Sequence, residues 1–217
     1  MAPSGARPRL VEYAPRVPRS TRVPDLSRRC PRCLFRPEVC LCQVIPALRP
    51  RTQFVIVRHA SERRRTTNSG RWAALALSCP LLDYAAPDGA FDEELLRAPG
   101  TALLYPDAPA GASLTVVPQR VVVLDASWAQ ARRMTQRIEA LRGLPRIALP
   151  APDPAADAPA ATPGLPRLRR PPHADGMSTI EAMARVLDLA GERDEANALD
   201  EVYAEAQRRI WSLRGVV

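Results

Sequence analysis

Four of the five cysteines lie within a thirteen-residue stretch near the N-terminal end of the chain. They form two pairs, Cys30-Pro-Arg-Cys33 and Cys40-Leu-Cys42, and four thiolates this close together are the ligand set of a tetrahedral zinc ion. Disulfides or free thiols are the alternatives, but residues 1–29 contain no secretory hydrophobic segment, so an oxidising compartment is not supported. We therefore predict a small structural zinc knuckle over residues 30–46, with Cys79 as a buried apolar filler.

Polar side chains also follow three of the predicted strands, where a parallel sheet binds its ligands. The three clusters are Arg58-His59 with Arg63, Arg64 and Arg65; Tyr105-Pro106-Asp107; and Asp125-Ala-Ser127-Trp128. Each also has a purely structural interpretation, because Asp125 or Ser127 can cap a helix, Trp128 can pack, and an arginine run can be a solvated face. Taken alone, Asp125 is explained more simply as a helix cap than as a catalytic group.

The elements that must position these clusters alternate along the chain. Buried apolar runs predict strands at 53–57, 102–105, 121–124 and 145–149. Helical patterns predict one helix opened by Thr67-Asn-Ser-Gly70 and ending at Leu77, and others from Trp128 to about Arg142, from Ser178 to about Ala190 and from about Glu192 to Leu213. Ser178 and Glu181 are spaced as a capping box. Strands that lack alternating polarity and alternate with helices predict a parallel α/β sheet flanked by helices.

The charge balance indicates an anionic partner. The formal net charge is +8, the isoelectric point is near 10, and every basic residue is arginine. The composition of residues 1–29 predicts a disordered basic arm, which is either a solvated tail or a flexible segment that binds phosphates weakly. The Pro/Ala-rich stretch 150–172 is either a functional lid or a mobile insertion. No apolar run is long enough to cross a membrane, so we expect a soluble, cytoplasmic protein, and we favour a nucleic-acid enzyme over a DNA-reading module.

Five motifs in order resemble the DTW-domain family. They are the cysteine series, Arg58-His59 through Arg65-Thr-Thr-Asn68-Ser-Gly70, Leu104-Tyr-Pro106, Val123-Leu-Asp125-Ala-Ser-Trp128-x-Gln-Ala-Arg-Arg-Met134, and Ser178-Thr-Ile-Glu181-Ala. The resemblance runs from about Cys30 to the C-terminal end of the chain. The chain departs from the family pattern in two chemically mild ways: Ser127 and Ser69 stand where threonine is commoner.

The resemblance implies a SPOUT-like, knotted α/β fold that binds S-adenosylmethionine (SAM) over residues 47–217. The implied reaction moves the 3-amino-3-carboxypropyl group of SAM to N3 of a tRNA uridine and releases methylthioadenosine. It places SAM against the loops around Leu104, Tyr105 and Pro106, around Asp125, Ser127 and Trp128, and at the turn formed by Ser178, Thr179 and Glu181. Zinc is then structural, because the sulfonium already activates the leaving group.

The implied roles of individual residues complete the expectation. Uracil N3 is a poor nucleophile until it loses its proton, so we expect Asp125 to act as the general base. The residues expected to bind the RNA are Arg58, His59, Arg63, Arg64, Arg65, Arg132 and Arg133, and the arginines among them are the candidates for phosphate contacts. Two other classes of protein stay open, a SPOUT-type RNA methyltransferase and a non-catalytic, zinc-containing RNA-binding protein. The oligomeric state also stays open, with a monomer favoured.

Overall fold

A five-stranded, all-parallel sheet forms the centre of the computed structural model, which describes residues 25–87, 91–106, 117–150, 165–169 and 176–215. The strands, in chain order, are β1 (Gln53–His59), β2 (Leu81–Tyr84), β3 (Thr101–Leu104), β4 (Arg120–Asp125) and β5 (Arg146–Ile147). Their order across the sheet is β2-β1-β4-β3-β5. The central strands β1 and β4 pair along their length and end with Arg58 opposite Asp125. The prediction of a parallel α/β sheet is confirmed.

Helices cover both faces of the sheet. They are α1 (Ser69–Leu77), α2 (Trp128–Arg137), α3 (Glu139–Arg142), α4 (Thr179–Leu189) and α5 (Arg193–Ser212). In β1, Phe54 and Ile56 point into the core shared with α1, α4 and α5, whereas Val55 and Val57 point into the core shared with α2 and α3. Both faces of the strand are buried, which is why its sequence is apolar throughout.

The structure departs from the predicted elements in three places. The strand predicted at 145–149 is shorter, because β5 covers only Arg146–Ile147. The edge strand β2 was not predicted; it is four half-buried residues, Leu-Leu-Asp-Tyr, directly after Pro80. The helix predicted from Trp128 to about Arg142 is two helices, because Ile138 adopts an extended backbone (φ −82°, ψ 113°) between α2 and α3. The capping box of Ser178 and Glu181 is confirmed at the start of α4.

Parts of several predictions lie outside the described residues. These parts are most of the basic arm predicted over 1–29, Asp107, and most of the Pro/Ala-rich stretch 150–172. Within the described ranges, no helix has the length and apolar character needed to span a membrane. Cys79 is half-buried against the core of α1, α4 and α5, and burial raises the pKa of its thiol to about 12.

Candidate active site

The Asp125 carboxylate lies at the carboxyl end of β4 and joins three distant segments of the chain. Only 4% of the residue is exposed. Its Oδ2 accepts a hydrogen bond from Asn68 Nδ2 (2.6 Å), and its Oδ1 accepts one from Thr179 Oγ1 (2.9 Å). Burial raises the pKa of this carboxyl above its ordinary value, against the hydrogen bonds from Asn68 and Thr179, which lower it. Asp125 is therefore not a helix cap, but a buried carboxylate of increased basicity.

Gly70, in the first turn of α1, allows the Asp125 carboxylate to lie close to the helix backbone. A Cβ at position 70 would lie 2.7 Å from Asp125 Cγ and 2.8 Å from Oδ2, so any side chain there would displace the carboxylate. Asn68 is the N-cap of the same helix: its Oδ1 accepts from the backbone N–H of Arg71 (2.9 Å) while its Nδ2 donates to Asp125. The amide is thus oriented by the helix, and the carboxylate lies at the positive end of the helix dipole.

We predict that Gly70→Ala destabilises the protein although alanine is the better helix former. The gain in helix propensity is about 1 kcal/mol, whereas forcing an extra methyl group into a packed core costs typically 1–3 kcal/mol. The matched control is Gly143→Ala, because a Cβ at Gly143 meets nothing within 4 Å and its φ of −87° suits alanine. Thermal denaturation of both variants tests this, and equal melting temperatures would contradict it.

A cavity of about 330 Å³ opens beside this carboxylate. Four segments line it: the end of β3 and its following loop, the β4–α2 turn with α2, the residues after β5, and the start of α4. Its lining residues are Leu104, Tyr105, Pro106, Val123, Leu124, Ala126, Trp128, Ala131, Ala148, Leu149, Pro150, Met177, Ser178, Thr179 and Ala182. The walls are largely apolar, and a cavity of this size and character is typical of small-molecule sites.

The cavity brings together six of the residues predicted to bind the cofactor and omits three. The six are Leu104, Tyr105, Pro106, Trp128, Ser178 and Thr179. Trp128 is 42% exposed at the first turn of α2. The three others do not line it. Asp125 is buried and bonds to the hydroxyl of the lining residue Thr179, and Glu181 is buried in the capping box of α4. Ser127 is exposed and bonded to Gln130.

A second hydrogen-bonded group links the end of β1 to α2. Gln130 accepts at Oε1 from the backbone N–H (3.0 Å) and hydroxyl (2.7 Å) of Ser127. Its Nε2 lies 3.2 Å from His59 Nδ1 and donates to Ser61 Oγ at 2.8 Å. The half-buried His59 ring also lies 6.4 Å from the ring of Tyr84. Gln130 lies in the motif that follows Asp125, but nothing in the sequence indicated that it would contact a histidine seventy-one positions earlier.

The arginines predicted to contact phosphate differ sharply in exposure. Arg58 is only 4% exposed, and its guanidinium forms a two-pronged ion pair with Asp83 on β2, with Nε–Oδ1 of 2.7 Å and Nη2–Oδ2 of 3.0 Å. Arg63 lies half-buried, 3.4 Å from the same carboxylate, and Arg65 is paired with the buried Glu62. The exposed members of the set are Arg64, Arg65, Arg132 and Arg133. Arg58 is therefore buried and ion-paired, unlike these four.

The four clustered cysteines form a candidate metal centre. Their sulfur atoms all lie within 4.8 Å of one another, and two of the separations are 3.6 Å (Cys30–Cys42) and 3.7 Å (Cys33–Cys40). Both are far longer than the ~2.05 Å of a disulfide. Both match the ~3.8 Å edge of a tetrahedron whose metal–sulfur bonds are ~2.3 Å. The four cysteines can therefore hold a metal ion.

The pKa of the thiol is shifted in different directions among the clustered cysteines. Burial disfavours the Cys30 thiolate, but hydrogen bonds from the backbone N–H groups of Cys33 and Arg32 outweigh it and lower the pKa of Cys30 to about 7. Burial raises the pKa of Cys40 and Cys42. A bound metal cation would allow all four thiols to lose their protons together, because a thiol that coordinates a metal ion is deprotonated.

The cysteine cluster is fastened to the helices that carry the rest of the site. Trp72 of α1 donates its indole N–H to the Cys33 carbonyl (3.2 Å), and Arg209 of α5 donates to the carbonyls of Val39 and Cys40. Arg71, also in α1, donates to the carbonyls of Arg32 and Arg63. The helix that orients Asn68 and Gly70 therefore also packs against the cluster. Loss of the cluster would thus disturb the position of the Asp125 carboxylate.

Comparison with known proteins assigns a family to this arrangement. The DTW domain model matches residues 27–210, which include the cysteine cluster, Asp125 and the start of α4. No solved structure gives a significant match to the chain. The matched stretch also contains Asn68, Gly70 and Thr179, the residues that surround the buried carboxylate. The chain therefore belongs to the DTW-domain family, which is associated with tRNA modification.

Proposed function

We propose that this protein transfers the 3-amino-3-carboxypropyl group of SAM to N3 of a uridine in tRNA and releases methylthioadenosine. The observation that carries the proposal is the position of Asp125 in a member of this family. Its buried carboxylate lies one hydrogen bond behind the wall of an apolar cavity that can hold a nucleoside. Family membership supports tRNA as the partner, and the cavity and carboxylate support chemistry on a bound nucleoside.

The cavity is the proposed SAM site. Its apolar walls, formed by residues such as Leu104, Leu124 and Leu149, suit an adenine ring. Tyr105 and Trp128 add aromatic surface at the strand ends. The backbone of the three loops at this edge supplies hydrogen-bonding groups for the polar parts. When bound, SAM supplies a carbon that is activated for transfer by its sulfonium.

The proposed reaction is a single displacement. Uracil N3 gives its electron pair to the carbon of the aminocarboxypropyl chain that is attached to sulfur, and the bond between that carbon and sulfur breaks. The electron pair of that bond stays on sulfur, which leaves as the neutral thioether of methylthioadenosine. The N3 proton must go to a base on the protein, and its charge there balances the positive charge lost from sulfur.

Asp125 is the proposed acceptor of this proton, through the hydroxyl of Thr179. Thr179 lines the cavity and donates its hydroxyl hydrogen to Asp125 Oδ1 at 2.9 Å. It can take the N3 proton at Oγ1 while passing its own to the carboxylate. The raised pKa of Asp125 makes the carboxylate a stronger base than an exposed aspartate. Asn68 keeps the other oxygen in place throughout.

The proposed tRNA surface lies at the same edge of the sheet. The short 3-10 helix Ala60–Glu62 contacts α2 through Ser61 and Gln130, so the arginines that follow the 3-10 helix and those within α2 lie on neighbouring segments. Arg64 and Arg65 come from the first, and Arg132 and Arg133 from the second; all four are exposed. A cluster of cations beside a nucleoside cavity is the arrangement that phosphate contacts require. We propose that His59, at the carboxyl end of β1, is a further contact to the RNA.

The proposal also includes the identity of the metal ion and a knotted topology of the chain. Zinc is the proposed ion at Cys30, Cys33, Cys40 and Cys42, because the sulfur separations fit its tetrahedron. A SPOUT-like knot is proposed from family resemblance, with the all-parallel sheet as its support. The link between β5 and α4 includes residues 151–164 and 170–175, which lie outside the described part of the chain.

Transfer from doubly labelled SAM to unmodified tRNA tests the function. One label is on the methyl group and the other on the carboxyl carbon. We expect the carboxyl label to enter tRNA and the methyl label to remain in methylthioadenosine. Methyl label alone in tRNA would mean methylation. No transfer from a protein that does not bind SAM in calorimetry would mean a non-catalytic RNA-binding protein.

A further inference from the structure

The cysteine loop, residues 30–33, is bonded directly to the start of α1. The carbonyl of Cys33 accepts from the indole N–H of Trp72 at 3.2 Å, and the carbonyl of Arg32 lies 3.4 Å from Arg71 Nη1. Two consecutive carbonyls of the loop therefore contact two consecutive residues of the helix. The backbone at Arg32 is held against α1, whereas its side chain is exposed.

Arg71 also joins the cysteine loop to the segment that follows β1. Its other terminal nitrogen, Nη2, donates to the Arg63 carbonyl at 2.7 Å. A guanidinium group is planar and rigid, so the single group on Arg71 sets the backbones at Arg32 and Arg63 side by side. Arg64 is the next residue, and its side chain is exposed like that of Arg32.

The segment after β1 contacts α2 in turn. Ser61 Oγ accepts from Gln130 Nε2 at 2.8 Å, and α2 carries the exposed Arg132 and Arg133. Hydrogen bonds thus link three segments in a row: the cysteine loop, the segment after β1, and α2. We call their exposed arginines the cationic strip, which consists of Arg32, Arg64, Arg132 and Arg133.

The arginines of the cationic strip differ from exposed arginines elsewhere in their lack of acidic partners. On α5, Arg193 pairs with Asp188 at 3.3 Å and Arg208 pairs with Glu205 at 2.7 Å. Within the described ranges, no side chain of the strip forms an ion pair. The positive charge of the strip is therefore available to an anion outside the protein.

We propose that Arg32 binds a phosphate of the tRNA, so that the cysteine loop is part of the tRNA-binding surface as well as a structural support. This inference rests on the proposed function, which supplies tRNA as the partner. Phosphates follow one another along an RNA strand, so unpaired guanidinium groups on segments that contact each other suit this polyanion. Arg32 lies between Cys30 and Cys33, so a metal ion held by these cysteines would restrict where its guanidinium can reach.

Arg32→Gln tests the contact through tRNA affinity and its salt dependence. The contacts of Arg32 with Arg71 and with the Cys30 sulfur use backbone atoms only, so the variant should keep its zinc and its melting temperature. Loss of one phosphate contact should reduce the slope of log K against log salt concentration by about one. We expect roughly tenfold weaker binding of unmodified tRNA, followed by fluorescence anisotropy without SAM. Arg32→Lys keeps the charge and should retain most of the affinity.

Arg193→Gln is the matched control for the loss of one charge. The Arg193 side chain is 81% exposed, but it lies on α5 and pairs with Asp188. This variant should leave the salt slope unchanged. Equal losses of affinity in Arg32→Gln and Arg193→Gln would mean that only net charge matters, and would overturn the proposal. A slope that Arg132→Gln reduces and Arg32→Gln does not would place the tRNA on α2 and away from the cysteine loop.

Binding without SAM separates this inference from the proposed reaction. tRNA affinity that depends on Arg32, in a protein that transfers nothing from SAM, would support the surface and contradict the reaction. A wild-type protein that binds no tRNA would overturn both.

Discussion

Asp125→Asn is expected to slow aminocarboxypropyl transfer by several orders of magnitude while the fold and SAM binding remain. Asparagine has the shape of aspartate, can accept from Asn68 and can bond to Thr179, but it cannot take a proton. Loss of a general base lowers the rate by about 10²–10⁴. Single-turnover transfer to tRNA, with SAM binding followed by calorimetry, measures both properties.

The same variant is expected to be at least as stable as the wild type at neutral pH. Burial raises the folded-state pKa of Asp125 above that of the unfolded chain, so the folded protein binds this proton more tightly. The corresponding stability is complete below the unfolded pKa and is lost as pH rises through the folded pKa. D125N carries no buried charge, so its advantage should grow with rising pH. A large loss of stability in D125N would instead make Asp125 a structural residue.

Substitutions at Thr179 test whether the N3 proton reaches Asp125 through the Thr179 hydroxyl. Thr179→Ser keeps the hydroxyl that joins the cavity to Asp125, whereas Thr179→Val has nearly the same shape without it. We expect the serine variant to retain transfer and the valine variant to lose most of it. The acid limb of the rate profile should lie above the range of an ordinary aspartate, because the pKa of Asp125 is raised. Full activity of Thr179→Val would exclude the hydroxyl route.

Zinc removal is expected to have the largest effect on stability. The purified protein should contain one zinc ion per chain, and Cys33→Ser should lose it, because Cys33 is a fully buried member of the cluster. Structural zinc sites bind with about 10–16 kcal/mol in small peptides, so the loss should lower the free energy of unfolding by several kcal/mol. Metal analysis and thermal denaturation measure the two effects.

Cys79→Ser is the control for the zinc prediction. Cys79 is half-buried but lies outside the four-cysteine cluster, so this variant should keep its zinc and lose little stability. Because α1 contacts the cluster through Trp72, Cys33→Ser should also impair transfer at Asp125. Cys33→Ser with a full complement of zinc and an unchanged melting temperature would contradict the metal assignment.

Apolar runs and capping residues predicted most of the central architecture. β1, β4, α1, α4 and α5 have strong local patterns, because each buries a continuous face or begins at a side-chain cap. The edge strand β2 has neither, being short and half-buried. Its omission also hid the partner of Arg58, since Asp83 lies on that strand. An arginine predicted to contact phosphate is instead held inside the protein.

The candidate site was predicted in its parts but not in its connections. The sequence indicated Asp125 and the start of α1 separately, because one follows a strand and the other begins a helix, and Thr179 was indicated by the family resemblance. That Asn68 and Thr179 bond to the same carboxylate depends on strand order and register, which no local pattern encodes. Gly70 was recognised only as part of a helix start, although its missing side chain makes room for Asp125.

The hydrogen bonds between α5 and the segment that carries the N-terminal cysteines have a consequence for biosynthesis. Arg209 bonds to the carbonyls of Val39 and Cys40, which precede it by about 170 positions, and Glu192 bonds to Thr52 at the start of β1. The ribosome therefore releases the first cysteines long before their packing partners exist. A metal ion captured early would hold this segment compact during translation, and contacts of such long sequence separation would make its final docking a late and slow step.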